Sequence, residues 1–118
     1  MRFSTVRTLA LLGLGLSSAS SAYVIHGYSN NDCGGDGTEI NVWDNTCATW
    51  FPAFGSFKVV AYGSGGQIVR FHTANNCGGP ILVGNWYADG SDGDFQVSDT
   101  CHNLGEGHNA NAAGSFAV

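Results

Sequence analysis

A short phrase occurs twice in this chain of 118 residues, and it constrains the fold more than any other feature of the sequence. The segment 28–35 reads YSNNDCGG, and the segment 72–79 reads HTANNCGG. In each half of the chain the phrase is followed by an extended run, then by Thr-Cys, then by Gly-Ser-Phe-x-Val. Because these signals recur in the same order, the sequence predicts two similar motifs, about 23–62 and about 67–118, in a single domain.

The first 22 residues have the layout of a secretory signal peptide. Two arginines precede a short apolar run, and Ser20 and Ala22 are small residues at positions −3 and −1 of a cut before Tyr23. The apolar run is about half the roughly 20 residues that a membrane span needs. We therefore expect a secreted, extracellular protein without a membrane span, whose mature chain is 23–118.

The expected mature chain is acidic. It keeps all nine acidic residues but only two certain cations, Lys58 and Arg70, so its net charge is −7. A surface of this sign disfavours binding to nucleic acid or to an anionic membrane. We expect a soluble monomer that stays dispersed outside the producing cell.

Four cysteines lie in the expected mature chain, and an even set in a small secreted protein predicts two disulfides. A zinc site is the alternative, but no Cys-x-x-Cys pair is present. If each motif is a hairpin that is closed by its own disulfide, the bonds are Cys33–Cys47 and Cys77–Cys101, which close loops over 14 and 24 residues. Such bonds would support the one modest core that a chain of this length can form.

Short runs rich in β-branched and aromatic residues predict strands, because clusters of Gly, Asn and Asp separate them. These runs read YVIHGYS, EINVW, SFKVVAY, QIVRFHT and ILVGNWY. The segment GSGG at 63–66 predicts a tight reversal, since glycine accepts positive φ without steric cost. No stretch of the expected mature chain shows apolar residues at helical spacing, so the sequence predicts an all-β sandwich or small barrel.

The spacing of residues around the first corner resembles the Greek-key motif of the βγ-crystallins. Tyr28, four further residues, Cys33, one residue and Gly35 are followed by Ser56 in GSFKV. The second half matches less closely, with His72, Cys77, Gly79 and Ser115 at the corresponding positions.

Cysteine replaces the second aromatic residue in both motifs, and in this the chain resembles small secreted cysteine-rich fungal proteins, many of them effector-like, and yeast killer toxins. The resemblance implies a disulfide-stabilised two-sheet Greek-key sandwich of about eight strands, with each motif contributing strands to both sheets. It also implies that Ser56 and Ser115 are buried and hydrogen-bonded to backbone, each at the folded corner of its own motif.

The function expected from this resemblance is non-enzymatic binding to a host or microbial surface target, without a cofactor. The four histidines are scattered, and no Gly-x-Ser-x-Gly nucleophile elbow is present. A calcium-binding structural protein is the first alternative. A secreted hydrolase is the second, because catalytic triads assemble in space rather than in sequence.

Two segments are candidate calcium sites. The segment DNTCAT, with Asp44 and Asn45, is the nearest match to the calcium motif of the crystallins. The segment DGSDGD places Asp89, Asp92 and Asp94 in one predicted loop, and hard cations take several oxygen ligands. A solvated polar turn is the alternative for both. Because the loop belongs to ten extra residues between the cysteines of the second motif, it is also a candidate functional insertion.

The predicted connection CATWFPAF is unusually apolar. If it is exposed, Trp50, Phe51 and Phe54 form a candidate contact patch. Core packing is the alternative. Other aromatic residues that could stack on a sugar or a protein partner are Trp43, Trp86, Tyr62 and Tyr87.

Overall fold

The structure is a computed structural model that describes residues 21–118. Eight strands form two antiparallel four-stranded sheets, which confirms the predicted all-β sandwich. In chain order the strands are β1 Ala22–Tyr28, β2 Gly37–Trp43, β3 Thr46–Ala48, β4 Ser56–Ala61, β5 Gln67–His72, β6 Ile81–Tyr87, β7 His102–Asn103 and β8 Ala112–Ala117. The described residues contain no helix long and apolar enough to cross a membrane. All but the last two residues of the predicted leader lie outside the described range.

Each motif sends its third strand into the sheet of the other motif. Sheet one has the order β2-β1-β4-β7, and sheet two has the order β3-β8-β5-β6. The first motif therefore supplies three strands of sheet one and β3 of sheet two. The second motif supplies three strands of sheet two and β7 of sheet one, so the two halves interlock, as the resemblance implies.

The two disulfides join Cys33 to Cys101 and Cys47 to Cys77, so the predicted pairing within each motif is wrong. The cause is the strand exchange. Cys47 lies in β3 and Cys101 directly precedes β7, so each is carried next to the corner of the other motif. Each bond ties the corner of one motif to the third strand of the other.

The core lies between the sheets and consists mainly of aromatic and β-branched side chains. In β1 the side chains alternate strictly, with Tyr23 and Ile25 buried and His26 on the outer face. This is the period of a strand with one solvated face. Phe57 of β4 meets Phe71 of β5 with ring centroids 5.0 Å apart, so the two sheets pack face to face.

One hydrogen bond crosses this core from sheet to sheet. The hydroxyl of Tyr23 in β1 donates to the carbonyl oxygen of Gly114 in β8 over 2.9 Å. Burial raises the pKa of Tyr23 well above its ordinary value, because the phenolate would lose its hydration. The neutral phenol therefore links the two sheets.

Phe51 and Phe54 belong to the core, so the predicted contact patch is wrong for two of its three residues. Phe54 is 1% and Phe51 7% exposed, whereas Trp50 is 61% exposed. The ring of Phe54 packs edge-on against Phe71 with centroids 5.3 Å apart, and its backbone pairs with Ala110. The connection between β3 and β4 is apolar because it covers one end of the core.

The corner after β1 contains a 3-10 turn, Asn31–Cys33, that is hydrogen-bonded to β4 and β7 rather than to its own strand. Asp32 and Cys33 both adopt a left-handed conformation with φ of 58°, which Asp tolerates better than most residues. The hydroxyl of Ser56 donates to the carbonyl of Asn30 over 2.5 Å and accepts the amide of Cys33 over 2.8 Å. The predicted role of Ser56 is confirmed.

Ser115 is not the equivalent of Ser56, and that prediction is wrong. Ser56 pairs with Tyr28, the last residue of β1. At the equivalent position of the second motif, the residue that pairs with His72, the last residue of β5, is Ala112. Ser115 lies three residues further along β8, and an odd shift turns a side chain to the other face of a sheet. It is buried there and donates to Oε1 of Gln67 over 2.7 Å instead of to a corner backbone.

The second corner is held by His72 and a disulfide rather than by a serine. Nδ1 of the buried His72 lies 3.2 Å from the carbonyl oxygen of Gly79 and 3.1 Å from that of Pro80. The bond from Cys77 to Cys47 attaches the same corner to β3. The two phrases thus produce corners that differ in backbone conformation, since no residue of 73–80 has a positive φ, and that are stabilised by different groups.

We expect Ser56→Ala to lower the free energy of unfolding by about 1–3 kcal/mol, because it removes two hydrogen bonds to the corner backbone, each worth about 0.5–1.5 kcal/mol. Ser64→Ala, in the turn between β4 and β5, should change it by less than about 0.5 kcal/mol. Urea unfolding followed by tryptophan fluorescence measures both variants. Equal, near-zero effects would contradict the role of the Ser56 hydroxyl at the corner.

Candidate binding groove

The ten extra residues of the second motif form an ordered loop between β6 and β7. Phe95 anchors the loop in the core, where it is fully buried. The amide group of Gln96 donates to two backbone carbonyls of the loop over 2.8 and 2.6 Å. The hydroxyl of Tyr62 donates to Oε1 of Gln96 and accepts the amide of Val97, both over 3.1 Å. These bonds fix the direction in which the chain leaves the loop.

The end of this loop forms one wall of an open groove of about 450 Å³ on the outer face of sheet one. The wall is the segment 97–99, which is attached to β4 where the amide of Ser98 donates to the carbonyl of Val59 over 3.4 Å. The floor consists of outward-facing side chains of the central strands β1 and β4. These are His26 and Tyr28 from β1, and Lys58 and Val60 from β4.

Two stacked rings make up half of the floor. The ring centroids of His26 and Tyr28 are 4.8 Å apart, and the ring planes differ by 23°. The ammonium of Lys58 lies 5.9 Å from the centroid of Tyr28, within cation–π range. On β2, Gly37 leaves room for these rings, since a Cβ there would collide with the ring of His26.

The groove contains both signs of charge. Glu39 of β2, His26 of β1 and Lys58 of β4 are aligned by the strand register into one row across sheet one. Lys58 is one of only two certain cations in 23–118, and Asp99 lies in the groove wall. The groove is therefore lined by both a cation and a carboxylate, in a protein that is otherwise strongly acidic.

Two exposed valines add an apolar strip. Val60 and Val97 are each 43% exposed and line the same groove. Val60 lies in a β-bulge of β4. The consecutive residues Val24 and Ile25 of β1 pair with Ala61 and Val59, so Val60 between them has no partner. Bulges re-aim side chains in this way and occur near functional sites.

The structure does not bring the acidic residues of DGSDGD together. Oδ1 of Asp89 accepts the amide and the hydroxyl of Ser91 over 3.0 and 2.6 Å, and these bonds lower the pKa of Asp89. Oδ1 of Asp92 accepts the amide of Asp94 over 3.0 Å. Within residues 21–118, no three His, Cys, Asp or Glu side chains are placed to hold a metal ion.

The other predicted calcium residues lie in the turn between β2 and β3. The backbone amide of Asn45 donates to Oε1 of Gln67 over 3.2 Å. In return, Nε2 of Gln67 donates to Oδ1 of Asn45 over 3.1 Å. Oδ1 of Asp44 is buried and has no hydrogen-bond partner. Calcium binding at either segment stays a prediction.

The aromatic residues singled out in the sequence do not form one platform. Trp43 is exposed at the end of β2 in sheet one, and Tyr87 is exposed at the end of β6 in sheet two. Trp86 packs against Phe95 with ring centroids 5.9 Å apart. The hydroxyl of Tyr62 is hydrogen-bonded to Gln96 and Val97 of the loop between β6 and β7.

The groove is not predicted by any motif of the sequence. His26 and Tyr28 stand at alternate positions of the first predicted strand, which indicates that they share one face, but only the register of β1 and β4 places Lys58 beside them. The sequence indicates a candidate functional insertion in this loop, but its acidic tip DGSDGD does not line the groove. The segment that follows the tip does so, and its position depends on tertiary contacts.

The groove can hold a ligand with both apolar and polar groups. Ring faces and valines provide apolar contact, while Lys58, Asp99 and Ser98 supply hydrogen-bond donors and acceptors. Small-molecule and peptide sites commonly combine these two kinds of surface. Comparisons with protein-family models, with curated proteins and with solved structures found no match to this chain.

Proposed function

We propose that the protein is a secreted, non-enzymatic binding protein, effector-like or killer-toxin-like, that acts on a host or a competing microbe outside the producing cell. Its contact surface in this proposal is the groove on sheet one. The observation that carries the proposal is the combination of stacked rings, exposed valines, a cation and a carboxylate in one concave site.

The two disulfides support an extracellular site of action, because disulfides persist in oxidising compartments. The leader-like first 22 residues point the same way. Both bonds link the two motifs and stabilise the sandwich by restricting its unfolded chain.

The rigidity of the groove supports a binding role. Its floor lies on the central strands of a sheet, and its wall is held by Tyr62 and by the buried Phe95. Sites on rigid elements lose little conformational entropy when a partner binds. The geometry is therefore suited to recognition of a partner without rearrangement.

Binding of purified 23–118 to plant tissue and to competing microbial cells tests the proposal, with cell damage scored in parallel. We expect Val60→Arg to reduce binding at least tenfold, because a long charged side chain fills the groove. Ile81→Arg is a matched control, since Ile81 is 41% and Val60 43% exposed and Ile81 lies on sheet two. Equal binding by the two variants, each with an unchanged melting temperature, would overturn the groove as the contact surface.

A further inference from the structure

Three of the four edge strands of the sandwich are protected against pairing with another chain. β3 and β7 are only three and two residues long. β6 shifts register twice against β5 and contains Gly84 and Asn85 with positive φ. Short edge strands and bulges are devices that prevent edge-to-edge pairing.

β2 has none of these devices. All seven of its residues, Gly37–Trp43, pair with β1 without a register shift. It contains no proline and no lysine. Among residues 21–118, no strand pairs with its other edge. A regular seven-residue edge is thus left open on an otherwise protected molecule.

One hydrogen bond just beyond the end of β2 shows which of its backbone amide and carbonyl groups point toward β1 and which point away from the sheet. The amide of Asp44 donates to the carbonyl of Ser21 over 2.8 Å, so Asp44 faces β1. Backbone groups of an antiparallel strand alternate between its two neighbours. The residues whose amide and carbonyl groups face away from the sheet are therefore Gly37, Glu39, Asn41 and Trp43.

We propose, in place of the monomer expected from the net charge, that this edge pairs with the same edge of a second copy of the chain, antiparallel about a two-fold axis at Ile40. The two copies of sheet one then form a continuous eight-stranded sheet. A two-fold interface uses the same surface patch on both subunits. All four outward-facing residues of each strand take part, which no other register allows.

The side chains of β2 complement each other in this register. Glu39 stands opposite Asn41 of the second copy, so no like charges stand directly opposite each other. Trp43, which is 51% exposed, stands opposite Gly37 of the second copy, and an aromatic ring beside an edge glycine is a stabilising pair. A shift that set Glu39 opposite its own copy would place like charges together, which is destabilising.

This pairing would place two grooves on one face, because the floor of each groove is the outer face of sheet one. Two linked sites increase the overall affinity for a surface that carries repeated targets. The pairing itself rests only on the edge strand and does not depend on the proposed function.

Sedimentation equilibrium of purified 23–118, from micromolar to millimolar concentrations, tests the pairing. We expect a concentration-dependent dimer. Asn41→Glu places two carboxylates opposite each other at both symmetry-related positions and should weaken the dimer roughly tenfold. Asn41→Lys places a lysine opposite Glu39 and should strengthen the dimer by a similar factor.

Asn109→Glu and Asn109→Lys are the matched controls, since they change the net charge equally at an exposed site in the connection before β8. We expect both to leave the dimer constant unchanged. A monomer at every concentration would overturn the proposal. So would a dimer whose response to charge is the same at position 109 as at position 41, because the charge opposite Glu39 would then have no special effect.

Discussion

Removal of the Cys33–Cys101 bond, by Cys33→Ser together with Cys101→Ser, should lower the free energy of unfolding by about 4 kcal/mol. The bond joins residues 68 apart in sequence, so it restricts the unfolded chain strongly. The Cys47–Cys77 bond spans 30 residues, and its removal should cost roughly 3.5 kcal/mol on the same chain-entropy argument. Urea unfolding at equilibrium measures both losses. Each is a large part of the roughly 5–15 kcal/mol that stabilises an ordinary domain.

Peptide mapping without reduction provides the independent check. Digestion should yield one linked peptide with Cys33 and Cys101 and another with Cys47 and Cys77. Linked peptides within a motif, Cys33 with Cys47 or Cys77 with Cys101, would contradict the exchange of third strands between the sheets. The serine variants would then need another explanation for any loss of stability.

Phe54→Ala should lower the free energy of unfolding by about 3–5 kcal/mol, because it leaves a cavity in a closely packed aromatic cluster. The ring is almost completely buried and lies against the bare backbone of Gly27, where a Cβ would approach it to 2.9 Å. Trp50→Ala should change the same free energy by less than about 0.5 kcal/mol, since the indole is mostly exposed. The melting temperature and the urea midpoint of the two variants give the comparison.

Phe54→Leu is the graded control for this cavity. It should cost clearly less than Phe54→Ala, because leucine refills most of the volume. A loss of target binding in Phe54→Ala at full stability would contradict the assignment of Phe54 to the core. It would instead restore the contact patch that the apolar sequence around Trp50 had indicated.

The sequence by itself determined the features that depend on neighbouring residues. Alternation of apolar and polar side chains, as in β1, specifies a strand and its buried face within a few residues. Asn, Asp and Gly in the repeated phrase predict a corner through local hydrogen bonds and left-handed conformations; the corner at Cys33 has this geometry, whereas no residue of 73–80 has a positive φ. Ser56 could be identified because its distance from that corner is set within one motif.

Only the tertiary structure decided which groups meet across the molecule. The partner of each cysteine depends on which sheet receives β3 and β7, and no local pattern records that exchange. The face on which Ser115 lies depends on a strand register, where an odd shift reverses every side chain. The groove needs two adjacent strands and a loop wall that is held in place by Tyr62. Such contacts join residues far apart in sequence, and their energies depend on the packing of the whole sandwich rather than on any one segment.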